Sequence, residues 1–151
     1  MRKAIVLIIS TLVFMFGCIK TNYDDCFTPP ETFRMMVVDK DTGEDLFDGR
    51  PYFTDSLEIY YFQSQVRKEV YFEIEFFNSY EKIIKSENLP WISIGGDKTF
   101  YIQLNSKDTD TLYLNVVEYL FYYCRSFPYG EVLINNQEME MNSLGIFLLK
   151  K

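Results

Sequence analysis

The sequence predicts an all-β fold, a single antiparallel β-sandwich, on three observations. Apolar side chains repeat with a period of two in several short segments, for example at Phe100, Ile102 and Leu104. Polar turn segments separate such runs at intervals of about 8–15 residues, a spacing typical of sandwich strands. Phe, Tyr and Trp supply 18% of the residues, and aromatic side chains suit a pleated, half-buried surface.

Segments 33–38 and 57–61 alternate and predict the first strands, with a polar turn at 39–45 in which Gly43 can adopt a positive φ. Segment 69–77 predicts the clearest strand, with one face apolar and one face wet. The apolar face holds Val70, Phe72, Ile74 and Phe76, and the wet face holds Glu69, Tyr71, Glu73 and Glu75.

The rest of the chain brings the expected total to seven to nine strands. We expect a long loop or short helix at 78–88, strands at 90–94, 100–104 and 112–116, strand or irregular structure at 118–127, a hairpin at 131–141 with its turn at Asn135–Asn136, and a final strand at 145–150.

The N-terminal segment has the features of a secretory signal peptide. Arg2 and Lys3 form a basic start, and the apolar run at 4–16 has the length of a signal core, about 7–15 residues. A membrane-spanning helix needs about 20 apolar residues, so a span is the weaker interpretation. We therefore predict a signal peptide at 1–17, a tether at 18–30 and one sandwich domain at 31–151.

The pair Gly17–Cys18 resembles the lipobox of bacterial lipoproteins. The resemblance implies that the chain is cut before Cys18 and that this thiol carries a lipid, such as palmitate, as a membrane anchor. More than one acyl chain is needed for durable anchoring, at about 0.8 kcal/mol per buried CH₂. The alternative is an ordinary cleaved signal followed by a cysteine, but the sequence contains no Ala-x-Ala site.

Charge and composition exclude several classes of function. Removal of residues 1–17 from the 151 leaves 134, and the net charge changes from −7 to −9 because Arg2 and Lys3 are lost and no acid precedes Cys18. An acidic body of this kind is not expected to bind nucleic acid. Histidine is absent, which removes the usual general base and the commonest metal ligand. We therefore expect neither an enzyme nor a cofactor.

Cys26 and Cys124 remain if Cys18 carries the lipid. An even number of cysteines in an oxidising compartment predicts a disulfide between these two. The alternative is two free thiols, because a sequence does not show whether two cysteines lie within bonding distance.

A second resemblance covers most of the mature chain. The chain is similar to small, poorly characterised lipoproteins of Gram-negative bacteria at several positions. These are the run Cys26-Phe27-Thr28-Pro29-Pro30, Phe33, the segments 37–39, 42–47 and 108–112, Cys124, and Ile134-Asn135-Asn136. The resemblance implies an immunoglobulin-like or transthyretin-like β-sandwich on the cell envelope, lipid-anchored at the outer membrane and facing the periplasm or the surface. It implies no activity and no catalytic residues.

Two groups of acidic residues have spacings that suggest a site. Asp39, Asp41 and Asp45 alternate in a loop, as calcium ligands do, but the glycine stands at the wrong place for an EF-hand, and turn chemistry is the better interpretation. Glu69, Glu73 and Glu75 have spacings that a glycosidase pair requires, but a row of exposed acids has nothing to raise a pKa.

Aromatic side chains are the remaining candidates for a binding surface. Tyr60, Tyr71, Tyr101 and Tyr113 stand on predicted strands, but the best candidates for ligand binding are Trp91, Tyr119, Tyr122 and Tyr123. We expect a membrane-anchored envelope protein with a binding or assembly role and a protein partner. The alternative is a glycan-binding accessory of an outer-membrane uptake system.

Overall fold

The computed structural model describes residues 26–47, 52–77 and 81–151. The predicted signal peptide at 1–17 and Cys18 lie outside the described residues. The described chain is almost entirely β-structure, with one short α-helix, α1 (Asn88–Ile94), and a 3₁₀ turn at Thr54–Ser56. The strands in chain order are β1 (Cys26–Phe27), β2 (Phe33–Val38), β3 (Glu58–Gln63), β4 (Val66–Glu69), β5 (Glu73–Phe76), β6 (Lys82–Ser86), β7 (Thr99–Asn105), β8 (Asp108–Val116), β9 (Tyr119–Phe121), β10 (Cys124–Ser126), β11 (Tyr129–Ile134), β12 (Gln137–Glu138), β13 (Glu140–Met141) and β14 (Phe147–Lys150).

Two large sheets form a sandwich, which confirms the predicted fold class. The first has six antiparallel strands in the spatial order β12-β11-β8-β7-β3-β4. The second has five strands in the order β13-β14-β2-β6-β5 and is antiparallel except where β14 runs parallel to β2. A third, small sheet has the order β1-β10-β9.

The core lies between the two large sheets and follows the period-two pattern. On β7 and β8 every second residue is buried, as predicted. Phe33, Met35 and Val37 meet these side chains from the second sheet. Full burial of a side chain of this size stabilises the fold by about 1.5–3 kcal/mol, so the contact between the sheets is the main source of stability.

The chain closes both open sides of the sandwich by crossing from one sheet to the other. On one side it passes from β4 to β5, and on the other from β12 to β13. Met139, which is buried, marks the second crossing, and its N–H donates to the Val132 carbonyl at 3.0 Å. These crossings leave only short strands at the four sheet edges, which limits edge-to-edge pairing with other chains.

The prediction of one strand over 69–77 is wrong, because the first crossing interrupts it. The Val70 N–H still donates to the Ile59 carbonyl of the first sheet at 2.8 Å. The Tyr71 carbonyl already accepts a hydrogen bond from Ser86 Oγ of the second sheet at 2.7 Å. Val70 is buried, but Phe76 is exposed, so the predicted apolar face does not continue to its end.

Two segments around residue 85 also differ from the prediction. Segment 78–88, expected as a loop or helix, contains strand β6, whose Ile83 and Ile84 are buried on opposite faces of the sheet. Segment 90–94, expected as a strand, belongs to α1. Pro90 lies in the first turn of this helix, where a missing N–H breaks no hydrogen bond within the helix.

The turns predicted at 39–45 and at Asn135–Asn136 are found where the sequence placed them, but 108–110, whose Asp-Thr-Asp sequence predicts a turn, begins strand β8. Gly43 has φ +75° in the turn after β2, and Asn135 and Asn136 both have positive φ in the two-residue turn between β11 and β12. The 131–141 segment is a hairpin only as far as Glu138, because Glu140–Met141 pairs with β14 in the second sheet. The final strand is confirmed as β14.

Candidate binding surfaces

The disulfide between Cys26 and Cys124 is present, as predicted. The two Cα atoms are 4.3 Å apart and the residues are separated by 98 positions in the sequence. The bond lies within a short parallel pairing in which Phe27 is opposite Arg125, and the Thr28 N–H donates to the Arg125 carbonyl at 2.8 Å. The range 18–30, predicted as a tether, therefore includes a strand that is part of the folded domain.

The β9–β10 hairpin displays an uninterrupted run of apolar side chains. Phe121 pairs with Cys124 across a two-residue turn, and Tyr122 occupies the first turn position with φ +54° and 81% exposure. Together with Phe27 and Trp91, this hairpin forms a surface that we call the aromatic end, which consists of Phe27, Trp91, Tyr119, Leu120, Phe121, Tyr122 and Tyr123, all exposed.

Trp91 joins this surface through stacking. Its ring lies nearly parallel to that of Phe27, with centroids 6.2 Å apart and an angle of 11°. Both rings also contact Phe127, with centroid distances of 6.0 Å from Trp91 and 5.6 Å from Phe27. Strand β1 is bonded to the hairpin through Cys26 and places Phe27 against Trp91. The predicted residues on the hairpin and Trp91 on α1 therefore lie at the same end of the sandwich. The sequence did not indicate Phe27, since it falls in the range predicted as a tether.

A second group of rings, the ring cluster, lies on the outer face of the first sheet and consists of Tyr60, Phe62 and Tyr101. Tyr60 and Tyr101 are paired across β3 and β7 and stack with centroids 5.2 Å apart at 16°. Phe62 meets both rings edge-on, at 5.8 and 5.6 Å. From β4, Arg67 places its guanidinium carbon 3.9 Å from the Tyr60 ring centroid and forms an ion pair with Glu58. Tyr60 therefore has close neighbours from both adjacent strands.

The other predicted tyrosines do not join the ring cluster's stacking. Tyr113 pairs with Thr99 on the neighbouring part of the first sheet and is half-buried. Tyr71 lies at the crossing between the sheets, exposed, and its hydroxyl donates to Glu73 Oε1 at 3.2 Å.

The three glutamates of the predicted wet face are divided between the two sheets. Glu69 lies on β4, whereas Glu73 and Glu75 lie on β5. Lys85 donates to Glu75 at 2.8 Å, and this hydrogen bond lowers the pKa of the Glu75 carboxyl. A lowered pKa is the opposite of what a general acid requires, so the geometry gives no support to a glycosidase pair here.

Asp39 and Asp45, in the acidic loop after β2, accept hydrogen bonds from backbone N–H groups of the loop and, for Asp45, also from the Lys82 N–H on β6. Asp39 Oδ1 accepts hydrogen bonds from the N–H groups of Asp41 and Thr42, at 2.9 and 2.8 Å, and these bonds lower the pKa of Asp39. Asp45 Oδ1 accepts from the Phe47 N–H at 2.6 Å. These contacts agree with turn chemistry. Among the described residues, no group of three or more histidine, cysteine or acidic side chains has the geometry of a metal site.

A partly buried polar network, of which the sequence indicated only the acidic pair Asp108 and Asp110, lies at the start of β8. Lys151 Nζ is 2.7 Å from Asp108 Oδ1 and 2.6 Å from Asp110 Oδ2. Asn135 donates to Asp110 Oδ1 at 2.7 Å, and the Tyr52 hydroxyl donates to Asp108. Burial and the hydrogen bond to Asp108 raise the pKa of Tyr52 to about 12. The network joins four distant parts of the chain, and within it the buried Asp110 Oδ2 is paired by the Lys151 ammonium.

A groove of about 1110 Å³ lies at the side of the sandwich where β12 passes into β13. Its floor contains the buried side chains of Val132 and Met139. Its four acidic residues, Glu31, Glu131, Glu138 and Glu140, are all exposed, and Glu140 pairs with Lys150 at 2.6 Å. The groove therefore does not bury a pair of acids, as a carboxylate enzyme would.

Comparison of the chain with models of protein families, with curated proteins and with solved structures gives no match. No helix within the described ranges is long and apolar enough to cross a membrane.

Proposed function

We propose that this chain is a membrane-anchored lipoprotein of the cell envelope with a non-catalytic binding or assembly role. A lipid on Cys18 holds the protein at the outer membrane, and the sandwich presents a binding surface. The observation that carries this proposal is the Cys26–Cys124 disulfide, because such bonds persist mainly in oxidising compartments outside the cytoplasm. Export of the chain agrees with the signal-like segment at 1–17, and the resemblance of Gly17–Cys18 to a lipobox supplies the anchor.

The ring cluster is the surface best suited to a protein partner. Tyrosine and arginine are enriched at the energetic centres of protein interfaces, and here Arg67 lies against Tyr60. Mutual stacking fixes the rings before binding, so little side-chain entropy is lost when a partner covers them. The face is also an open sheet surface and not a cleft, which suits protein contact better than chemistry on a small substrate.

Metabolic labelling with palmitate tests the anchor. We expect label in the wild-type chain and none in Cys18→Ala, whereas Cys26→Ala should still be labelled. Absence of label from the wild type, or equal label in Cys18→Ala, would contradict the anchor.

Photo-crosslinking in intact cells tests the binding surface. A benzophenone side chain at Phe62 should give a defined adduct with an envelope protein, and Tyr101→Ala in the same chain should reduce its yield. A benzophenone at Phe53, which is 60% exposed at the other end of the first sheet, serves as the matched control. Equal yields of the adduct from both positions would contradict the proposal that the ring cluster is the interface.

Glycan binding is a second candidate, and the exposed stack of Trp91 on Phe27 favours it. Flat aromatic faces bind sugar rings, and three exposed tyrosines stand on the adjacent hairpin. A glycan array tests this candidate: a hit that is lost in Trp91→Ala supports it, and an array without hits counts against it.

A further inference from the structure

The aromatic end combines strong exposure with an unfavourable backbone conformation. Tyr122 adopts φ +54°, a left-handed conformation that glycine or asparagine adopts at lower cost. A large apolar side chain at such a turn position is unfavourable both for the backbone and for solvation. Features that break local rules in this way concentrate at functional sites.

The aromatic end also differs in charge from the rest of the chain. In the segment 117–127 the only charged residues are Glu118 and Arg125, whose charges cancel and whose side chains lie 3.6 Å apart. The mature chain as a whole carries a net charge of −9, the printed −7 less Arg2 and Lys3. Anionic surfaces repel the body of the protein, but the hairpin segment 117–127 has no net charge that opposes contact with a lipid surface.

The position of the aromatic end in the chain brings it close to the proposed anchor. Cys26 lies eight positions after Cys18, and a fully extended chain over eight steps spans at most about 29 Å. The disulfide then fixes Cys26 to Cys124, next to the turn formed by Tyr122 and Tyr123. A lipid on Cys18 therefore holds this hairpin within reach of the bilayer surface.

We propose that the aromatic end lies in the headgroup region of the membrane that holds the Cys18 lipid and acts as a second membrane contact. Tyrosine and tryptophan are the side chains that favour this region, because their rings are apolar and their tips form hydrogen bonds. The added contact makes attachment more durable than the acyl chains alone and sets the orientation of the sandwich. The inference rests on the proposed anchor for its geometry.

Depth-dependent fluorescence quenching of the full-length protein in phosphatidylcholine vesicles tests the proposal. The chain has one tryptophan, so Trp91→Phe provides a background in which a single new probe reports. Tyr122→Trp places the probe in the aromatic end, and Leu120→Trp is a second probe that leaves the turn unchanged. Phe53→Trp is the matched control, because Phe53 lies at the opposite end of the first sheet, where the nearby Ser56 hydroxyl donates to the Leu104 carbonyl. The two ends of β8, at Asp108 and Val116, are about 27 Å apart.

We expect brominated acyl chains to quench the Tyr122 and Leu120 probes several-fold more strongly than the Phe53 probe, with a blue shift of their emission. Equal quenching at both ends overturns the proposal. The proposal is also overturned if a glycan or an envelope protein shields the hairpin probes while vesicles leave them unquenched.

The mass of the N-terminal peptide from the same sample reports the Cys18 lipid separately. An unmodified Cys18 with quenched hairpin probes contradicts the anchor alone, and a lipidated Cys18 with unquenched probes contradicts this inference alone.

Discussion

The sulfur atoms of Cys26 and Cys124 are bonded, and this bond joins the first described strand to a hairpin 98 residues further along the chain. The strands β1, β10 and β9 make their own small sheet, apart from the two large ones. Few backbone hydrogen bonds support so small a sheet, so the covalent bond is its principal restraint. The bond therefore adds a covalent restraint on the hairpin that carries the exposed rings.

Loss of the disulfide should lower stability. We expect Cys26→Ser with Cys124→Ser to reduce the free energy of unfolding by about 2–4 kcal/mol, because the unfolded chain regains the entropy of a long open loop. Urea unfolding with and without reductant measures this effect. Cys18→Ser is the control and should leave the reductant sensitivity unchanged. A double variant as stable as the oxidised wild type would show that the bond does not constrain the fold.

Ser93 attaches α1 to the first sheet. Its hydroxyl is buried, donates to the Leu114 carbonyl at 2.7 Å and accepts from the Val116 N–H at 3.1 Å. We expect Ser93→Ala to lower the free energy of unfolding by about 1–3 kcal/mol, since two buried backbone groups lose a partner. Thermal unfolding measures this loss. The exposed turn residue Ser106 provides the comparison, and Ser106→Ala should have almost no effect.

Truncation of a leucine to alanine should reduce the free energy of unfolding strongly in the core and hardly at all in the aromatic end. Leu112 is fully buried between the sheets, and Leu112→Ala should cost about 2–5 kcal/mol through lost contacts and a cavity. Leu120 is 63% exposed, and Leu120→Ala should change stability by about 0.5 kcal/mol or less. Denaturant unfolding of both variants checks the pair. A large loss for Leu120→Ala would mean that the hairpin is part of the core and is not a free surface.

The polar network at β8 should make the free energy of unfolding depend on pH in the acidic range. Burial opposes the Asp108 charge, but hydrogen bonds from Lys151 and Tyr52 outweigh it and lower the Asp108 pKa below its usual 3.8. A lowered pKa adds stability above the unfolded value, and this stability is lost as the pH falls through the folded value.

We therefore expect Asp108→Asn to be less stable than the wild type by about 1.5–3 kcal/mol at pH 6, with the difference shrinking below about pH 4. Urea unfolding across this range provides the measurement. Asp55→Asn, at an exposed position, is the control. A difference that is constant from pH 6 to pH 3 would exclude the ionised Asp108 as the cause.

The sequence predicts the strands whose two faces have different environments. β7 and β8 bury every second side chain and leave the others half-exposed, so their period of two is plain. β6 has no such period, because Ile83 faces a small second apolar cluster with Met36 and Val38 while Ile84 faces the main core. Adjacent buried residues look like an unpatterned run when a sheet is covered on both faces.

The errors at 69–77 and 90–94 arise from tertiary context. The alternation from Val70 to Phe76 is real in part, but nothing local shows that the chain changes sheets after Val70. In α1, Ile92 and Ile94 suggest a strand, and the two turns are too short for a helical period to appear. The aromatic end was found only in part, since Phe27 joins it through a disulfide partner far away in the sequence.

The mass of the N-terminal peptide from membrane-purified protein tests the central claim most directly. The account predicts that the mature chain begins at Cys18 and carries acyl mass on that residue. A chain recovered from the cytosol that still begins at Met1, with an unmodified Cys18, would contradict it.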